Sequence, residues 1–158
     1  MKKSLSLILL FVFLFSPFRV YADTFDLPSI KIAPNSFFYP LKRISEKVVV
    51  YFYFDSNKKA DYYQNLVQVR LAELKYIVDK DFRDQVERST QRVSYQIGIL
   101  TDYVVGKKLN NKQQSLADLY KEDKIILEKL RDKYPENSSY WMLVQHIINS
   151  IDLNLRKF

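Results

Sequence analysis

Apolar side chains recur three or four positions apart along five stretches of the chain, most clearly from Ala60 to Val78, and this spacing is typical of amphipathic helices. Short connections between long amphipathic helices predict antiparallel neighbours. Two glycines are too few for the tight turns of a hairpin-rich sheet protein. The sequence therefore predicts an all-α fold, an antiparallel bundle of four to five helices. The predicted helices cover residues 39–54, 58–80, 82–105 and 110–134, and a last one runs to 158.

Residues at the ends of these stretches favour the same five helices, because they are suited to begin or end a helix. Side chains suited to cap a helix N-terminus are Ser36 for the first helix, Asp55 for the second, Asp81 for the third, and Ser138 or Ser139 for the last. Gly106 is expected to close the third helix, because glycine tolerates the left-handed conformation. Pro135 is expected to stop the fourth, because proline lacks the N–H that would continue it.

The first predicted helix is the ambiguous one. Its apolar face comprises Leu41, Ile44, Val48, and Tyr51 or Phe52. Its charged face comprises Lys42, Arg43, Glu46 and Lys47. Residues 48–54 form an unbroken run of β-branched and aromatic side chains that suits a buried strand as well as a helix. We favour a helix, because the chain has no second run of this kind for a strand to pair with.

Four consecutive aromatic residues end this stretch, and they cannot all face one core. Tyr53 or a neighbour is therefore expected to face outward or against another surface. One interpretation is that the helix is a central or wrapping member of the bundle, covered on two sides. The other is that it offers its aromatic rings and nearby cations to a partner groove or to the edge of a membrane.

The N-terminus has the pattern of a secretory signal. Lys2 and Lys3 precede an apolar segment of about 11 residues, shorter than the roughly 20 needed to span a bilayer. We predict a signal peptide over 1–22, cleaved after Ala22, although a retained segment would act as an anchor. An extended leader over 23–35 and a helical bundle domain over 36–158 are expected to follow. The protein is then exported to the periplasm, the cell envelope or the medium.

Composition narrows the kinds of partner and of stabilising bond that the protein can have. The formal net charge of the whole chain is +7, and Lys2, Lys3 and Arg19 leave with the signal, so 22 cations against 18 acids give the mature chain +4. Both signs are interspersed, which is typical of a solvated surface, and no nucleic-acid motif accompanies the charge. The chain has no cysteine, so it has neither disulfides nor thiolate metal sites. Burial of its many aromatic side chains must stabilise it.

No pattern of catalytic or ligand-binding residues emerges. His146 is the single histidine and is expected to be a structural or edge residue, since the chain offers it no histidine or cysteine partner for a metal. Paired carboxylates for glycan cleavage are the enzyme class that spacing alone does not exclude. Their candidates are Glu73, Glu87, Glu122 and Asp123. We predict no enzyme activity, no catalytic residues, no cofactor and no metal.

Two blocks of sequence resemble a bacterial family of exported or membrane-tethered domains of unknown function. The first block reads P-x-S-x-x-Y-x-L-K-R over 34–43, with Glu46 after it. The second reads F-D-x-x-K-K-A over 54–60, and Leu71-Ala72-Glu73 follows. The similarity extends from 34 to about 75, and Tyr53 departs from it, since smaller or polar residues are common there. The resemblance implies a helical fold and export, and it implies no activity.

The sequence thus predicts an exported helical interaction or structural module of the bacterial cell envelope. The alternative is an envelope-stress chaperone or sensor that holds unfolded clients. We expect the partner to be an envelope protein or an anionic envelope surface, through peripheral membrane contact or self-association, and not a nucleic acid. The residues expected to make contacts are Phe37, Phe38, Lys42, Arg43, Lys47 and Tyr53.

Overall fold

The computed structural model describes residues 27–158. The predicted signal peptide, its cleavage after Ala22 and the start of the leader lie outside the described residues. The described part of the chain contains five α-helices and no strand, so the predicted all-α fold is confirmed. The helices are α1 (Tyr39–Val50), α2 (Ser56–Asp79), α3 (Arg83–Gly106), α4 (Asn110–Arg131) and α5 (Ser139–Leu155).

Helices α2 to α5 form a bundle around one apolar core. Leucine, isoleucine and valine side chains from all four helices fill it, and burying each of them is worth about 1.5–3 kcal/mol. Tyr120 of α4 is fully buried, and its hydroxyl lies 2.9 Å from Thr101 Oγ1 of α3. By contrast, Tyr39 is the one residue of α1 that is buried.

Polar contacts between the helices show their relative directions. Asn111, near the start of α4, contacts Asn57 near the start of α2, and Lys133, just after α4, contacts Asp79 at the end of α2. Helices α2 and α4 are therefore parallel. The contacts of α4 with α5 run in the opposite order, Lys124 with Asp152 and Arg131 with Gln145. Helices α4 and α5 are thus antiparallel, as the short connection between them predicts.

Two predicted caps are confirmed. Asp55 Oδ1 accepts a hydrogen bond from the Lys58 N–H at 2.8 Å at the start of α2. Ser138 Oγ accepts one from the Trp141 N–H at 3.3 Å at the start of α5. Each satisfies a backbone donor that has no partner within its own helix.

The prediction that Asp81 caps α3 is wrong, and so is the expected role of Gly106. Asp81 instead adopts a left-handed conformation, φ 54°, just after α2. The Phe82 N–H then donates to the Ile77 carbonyl and the Asp81 N–H to the Val78 carbonyl, which is the hydrogen-bond pattern of a Schellman motif. Lys108, at φ 53°, ends α3 in the same way, while Gly106 remains helical.

Helix α1 ends at Val50, four residues before the predicted end, and residues 48–54 contain no strand. The N–H groups of the next three residues, 51–53, donate to carbonyls three positions back. This tighter pattern uses the free carbonyls of the last turn and ends the helix before the chain enters α2. Helix α4 also ends earlier than predicted, at Arg131 and not at Tyr134.

Candidate functional site

Helix α1 presents its apolar stripe to solvent. Leu41, Ile44 and Val48 are 56%, 60% and 38% exposed, and Tyr51, just after the helix, is 77% exposed. The interpretation that the bundle covers α1 on two sides is therefore wrong. The reason is that the charged face of the helix, and not the apolar one, has partners on α2.

Those partners are two charged residues in the middle of α2, Arg70 and Glu73, whose side chains are almost fully buried. Arg70 Nη1 lies 2.7 Å from both carboxylate oxygens of Glu73. From α1, Lys42 Nζ donates to Glu73 Oε1 at 2.6 Å and the Tyr39 hydroxyl donates to Glu73 Oε2 at 2.7 Å. Arg70 Nη2 also pairs with Glu46. We call these five residues the α1–α2 network.

The network keeps Glu73 ionised. Burial would raise the pKa of Glu73, but Arg70 and Lys42, together with the Tyr39 hydroxyl, hold it below its usual range. Burial, together with the charge of Glu73 and the hydrogen bond to it, raises the pKa of Tyr39 to about 12, so its hydroxyl stays a donor. Arg92 of α3 lies over the Tyr39 ring, 4.9 Å from its centroid, and connects the network to a third helix. These charges attach α1 to the bundle.

A second buried carboxyl, Asp123 of α4, has a different environment. Gln68 Nε2 of α2 donates to its two oxygens at 2.9 and 3.0 Å. Burial raises the pKa of Asp123 to about 7, the Gln68 hydrogen bond opposes this rise, and the charge of Glu122 adds to it. The structure therefore does not unite Glu73 and Asp123 in one site, since each has its own partners. The other candidates, Glu87 and Glu122, are exposed, and so is His146.

The family described as a domain of unknown function, DUF5667, matches residues 31–137. The chain belongs to the DUF5667 family. Neither a curated protein nor a solved structure matches it. The predicted resemblance is confirmed as far as a domain of unknown function, while its two sequence blocks and its bacterial, exported character stay predictions.

The DUF5667 match contains helices α1 to α4 and with them the whole α1–α2 network. Helix α5 follows the match and completes the core with buried isoleucine and valine side chains. Among residues 27–158, no cluster of histidine or acidic side chains could hold a metal ion. In the same range, no helix is long and apolar enough to cross a membrane.

The six predicted contact residues of this DUF5667 protein fall into three groups. Phe37 and Phe38 are strongly exposed, and their rings touch edge to face with centroids 5.6 Å apart. Lys47 is exposed as well. The other three are engaged within the protein: Lys42 with Glu73, Arg43 at 3.8 Å from Glu46, and the Tyr53 ring stacked on Tyr62 at 5.0 Å.

The sequence reasoning missed Arg70 as a functional residue and missed the role of Glu73. One signal could have revealed them. They lie three residues apart and next to the apolar stripe of α2, which contains Val67, Leu71 and Leu74, so they do not belong to the solvated face of the helix. A buried charged pair in that position needs partners from another helix.

Proposed function

We propose that this protein is an exported, non-catalytic interaction module of the bacterial cell envelope, and that it binds its partner through the outward surface of α1. We define the α1 face as Phe37, Phe38, Leu41, Ile44 and Val48. The observation that carries the proposal is the orientation of α1, which leaves this apolar surface in solvent although the core of α2 to α5 is filled without it.

The α1 face has the character of a contact surface. From Phe38 to Val48 its side chains lie three or four residues apart, and Phe37 lies four residues before Leu41, so they form one stripe along the helix and the segment before it. Isolated apolar residues are ordinary on protein surfaces, but a contiguous group that includes two phenylalanines is typical of an interaction site. The α1–α2 network supports the same function, because it holds α1 in this orientation.

The N-terminal sequence supports the exported part of the proposal. Its two lysines, short apolar segment and Ala22 fit a signal peptide. Fractionation of the producing cells, followed by mass spectrometry of the purified chain, tests it. A mature chain that begins at Asp23 and is found outside the cytoplasm is the expected result, and a full-length cytoplasmic chain would contradict it.

The interaction itself is tested by photo-crosslinking in the producing cells, with a photoreactive amino acid at position 44 of the α1 face. The matched control is position 153 of α5, since Ile44 and Leu153 are 60% and 59% exposed. Adducts specific to position 44, either with one protein or with lipid, would support the proposal. Many unrelated proteins would favour the chaperone alternative, and equal labelling of both positions would overturn the contact surface.

A further inference from the structure

The chemistry of the α1 face points to a particular partner. We infer that α1 lies flat on an anionic lipid surface, with the α1 face inserted among the headgroups. This inference rests on the proposed function, because it names the partner of the same surface. A helix with one apolar face and cations beside it is the form in which interfacial helices bind such membranes.

Charge is the first argument. Residues 36–54 contain three cations and one acid, Glu46. The structure turns Glu46 inward to Arg70, and Lys42 is engaged with Glu73. Lys47 is exposed at one edge of the apolar stripe, while Arg43, one turn earlier, is 25% exposed and lies 3.8 Å from Glu46. The helix therefore presents the exposed cation Lys47 beside apolar side chains, and its single acid, Glu46, lies among Arg70, Lys42 and Arg43.

The aromatic residues are the second argument. Phe37 and Phe38 precede α1, and Tyr51 and Phe54 follow it, all strongly exposed. Phenylalanine is typical of the membrane-buried face of interfacial helices, and tyrosine favours the boundary where one end of the ring is apolar and the other is wet. Rings at both ends of the helix would hold it parallel to the surface instead of upright.

A second copy of this chain fits the α1 face less well. A two-fold symmetric pairing of two α1 helices brings the same surface of each into contact. The Lys47 side chains of the two copies would then lie near one another, and neither helix has an acid on its outward side to pair with them. Like charges of this kind oppose association, whereas an anionic surface satisfies them.

The test uses the absence of native cysteine, which allows a single nitroxide label to be attached at an introduced Ile44→Cys or, as the control, Leu153→Cys. The full chain is mixed with vesicles of phosphatidylcholine, with or without phosphatidylglycerol. The accessibility of each nitroxide to oxygen and to a water-soluble nickel chelate then reports its depth. This readout is specific to position, so membrane binding through the apolar N-terminal segment does not imitate it.

With phosphatidylglycerol vesicles, the label at position 44 is expected to gain oxygen accessibility and lose nickel accessibility, while the label at 153 stays in water. Removing one cation with Lys47→Gln should lower the vesicle partition coefficient about fivefold, since a basic residue near an anionic surface is worth roughly 1 kcal/mol. Lys129→Gln, an exposed lysine of α4, is the matched control and should leave partitioning unchanged.

One result would overturn the inference, and the crosslinking outcome then decides whether the proposed function fails with it. A label at 44 that stays in water on both kinds of vesicle excludes insertion of α1. If position 44 then crosslinks to one protein in cells, the proposed function stands and its partner is a protein. If position 44 neither enters vesicles nor crosslinks above the control at 153, the inference and the proposed function both fail.

Discussion

Glu73 and Asp123 are both buried acids on long helices, yet their surroundings shift their pKa values in opposite directions. Glu73 lies between Arg70, Lys42 and the Tyr39 hydroxyl, which together overcome the effect of burial and hold its pKa below its usual range. Asp123 receives hydrogen bonds from the neutral amide of Gln68, and burial raises its pKa to about 7. The ionisation of a buried carboxyl is thus set by the charge of its neighbours and not by burial alone.

The two contacts also attach helices in different ways. The Glu73 contact fastens α1, whose own apolar residues remain outside, so charge carries much of this attachment. The Asp123 contact adds a polar bridge between α2 and α4, which the apolar core already holds together. Loss of the first is expected to release a helix, while loss of the second changes only how stability depends on pH.

The largest effect is expected from Glu73→Gln. This variant removes the anion but not its shape, and it leaves Arg70 and Lys42 with too little negative charge in a buried setting. Breaking a buried ion pair from one side typically costs about 3–5 kcal/mol. Urea unfolding should show this loss, and hydrogen exchange should show faster opening of α1 than of α3.

Glu87→Gln is the matched control, since Glu87 is exposed, and it should change the free energy of unfolding by less than about 0.5 kcal/mol. A Glu73→Gln variant as stable as this control would mean that charge does not fasten α1.

The second prediction concerns Asp123 and pH. Its folded pKa of about 7 lies above the usual 3.8, so the folded state binds the extra proton between these values. The contribution of Asp123 to stability is therefore greatest below about pH 4 and falls as pH rises to about 7. Asp123→Asn cannot ionise, so it should abolish this decline and gain up to about 4 kcal/mol at pH 8, because each pKa unit corresponds to about 1.4 kcal/mol. Urea unfolding from pH 4 to 8 measures both.

The pH dependence of Glu73 has the opposite sign. Its pKa is lowered on folding, so the stability it provides is present above its usual 4.5 and is lost as pH falls through the folded value. Asp123→Asn should leave this loss of stability at low pH unchanged, and Glu73→Gln should remove it. A loss of stability for Asp123→Asn at pH 8 as well as at pH 4 would contradict the prediction. It would mean that Asp123 is ionised in the folded state and stabilises it in that form.

A smaller effect is expected from Tyr39→Phe, which removes one hydrogen bond to Glu73 and keeps the ring under Arg92. A hydrogen bond to a charged group contributes about 1.5–3 kcal/mol, and two cations still satisfy Glu73, so a loss of about 1.5 kcal/mol is expected. Chemical denaturation measures it. Tyr140→Phe on α5 is the control, and an equal loss there would assign the effect to general packing.

The contrast also shows what sequence can and cannot predict in this protein. Helix positions and the caps Asp55 and Ser138 depend on residues within a few positions of one another, so spacing and residue type predict them. The left-handed ends at Asp81 and Lys108 were missed because neither is a glycine. Whether Asp123 or Glu73 is ionised depends on side chains from other helices, which no local pattern contains.

The orientation of α1 is the clearest case of such non-local control. Its amphipathic pattern was read correctly, but the pattern does not say which face turns inward. That choice is made by the pairing of Glu46 with Arg70, 24 residues away, and of Lys42 with Glu73, 31 residues away. An apolar face ordinarily turns inward because water is absent there. Here the buried ions of α2 require charged partners more strongly than the stripe requires burial.

The smallest effect on stability is therefore expected where an ordinary amphipathic helix would show a large one. Ile44→Ser lies in the middle of the apolar stripe, but Ile44 is already 60% exposed, so it should change the free energy of unfolding by less than about 0.5 kcal/mol. Ile147→Ser on α5, where the side chain is fully buried, should cost about 3 kcal/mol or more. Urea unfolding compares the two. A large loss for Ile44→Ser would show that α1 is held by apolar burial in solution, and the α1–α2 network would then not be what positions this helix.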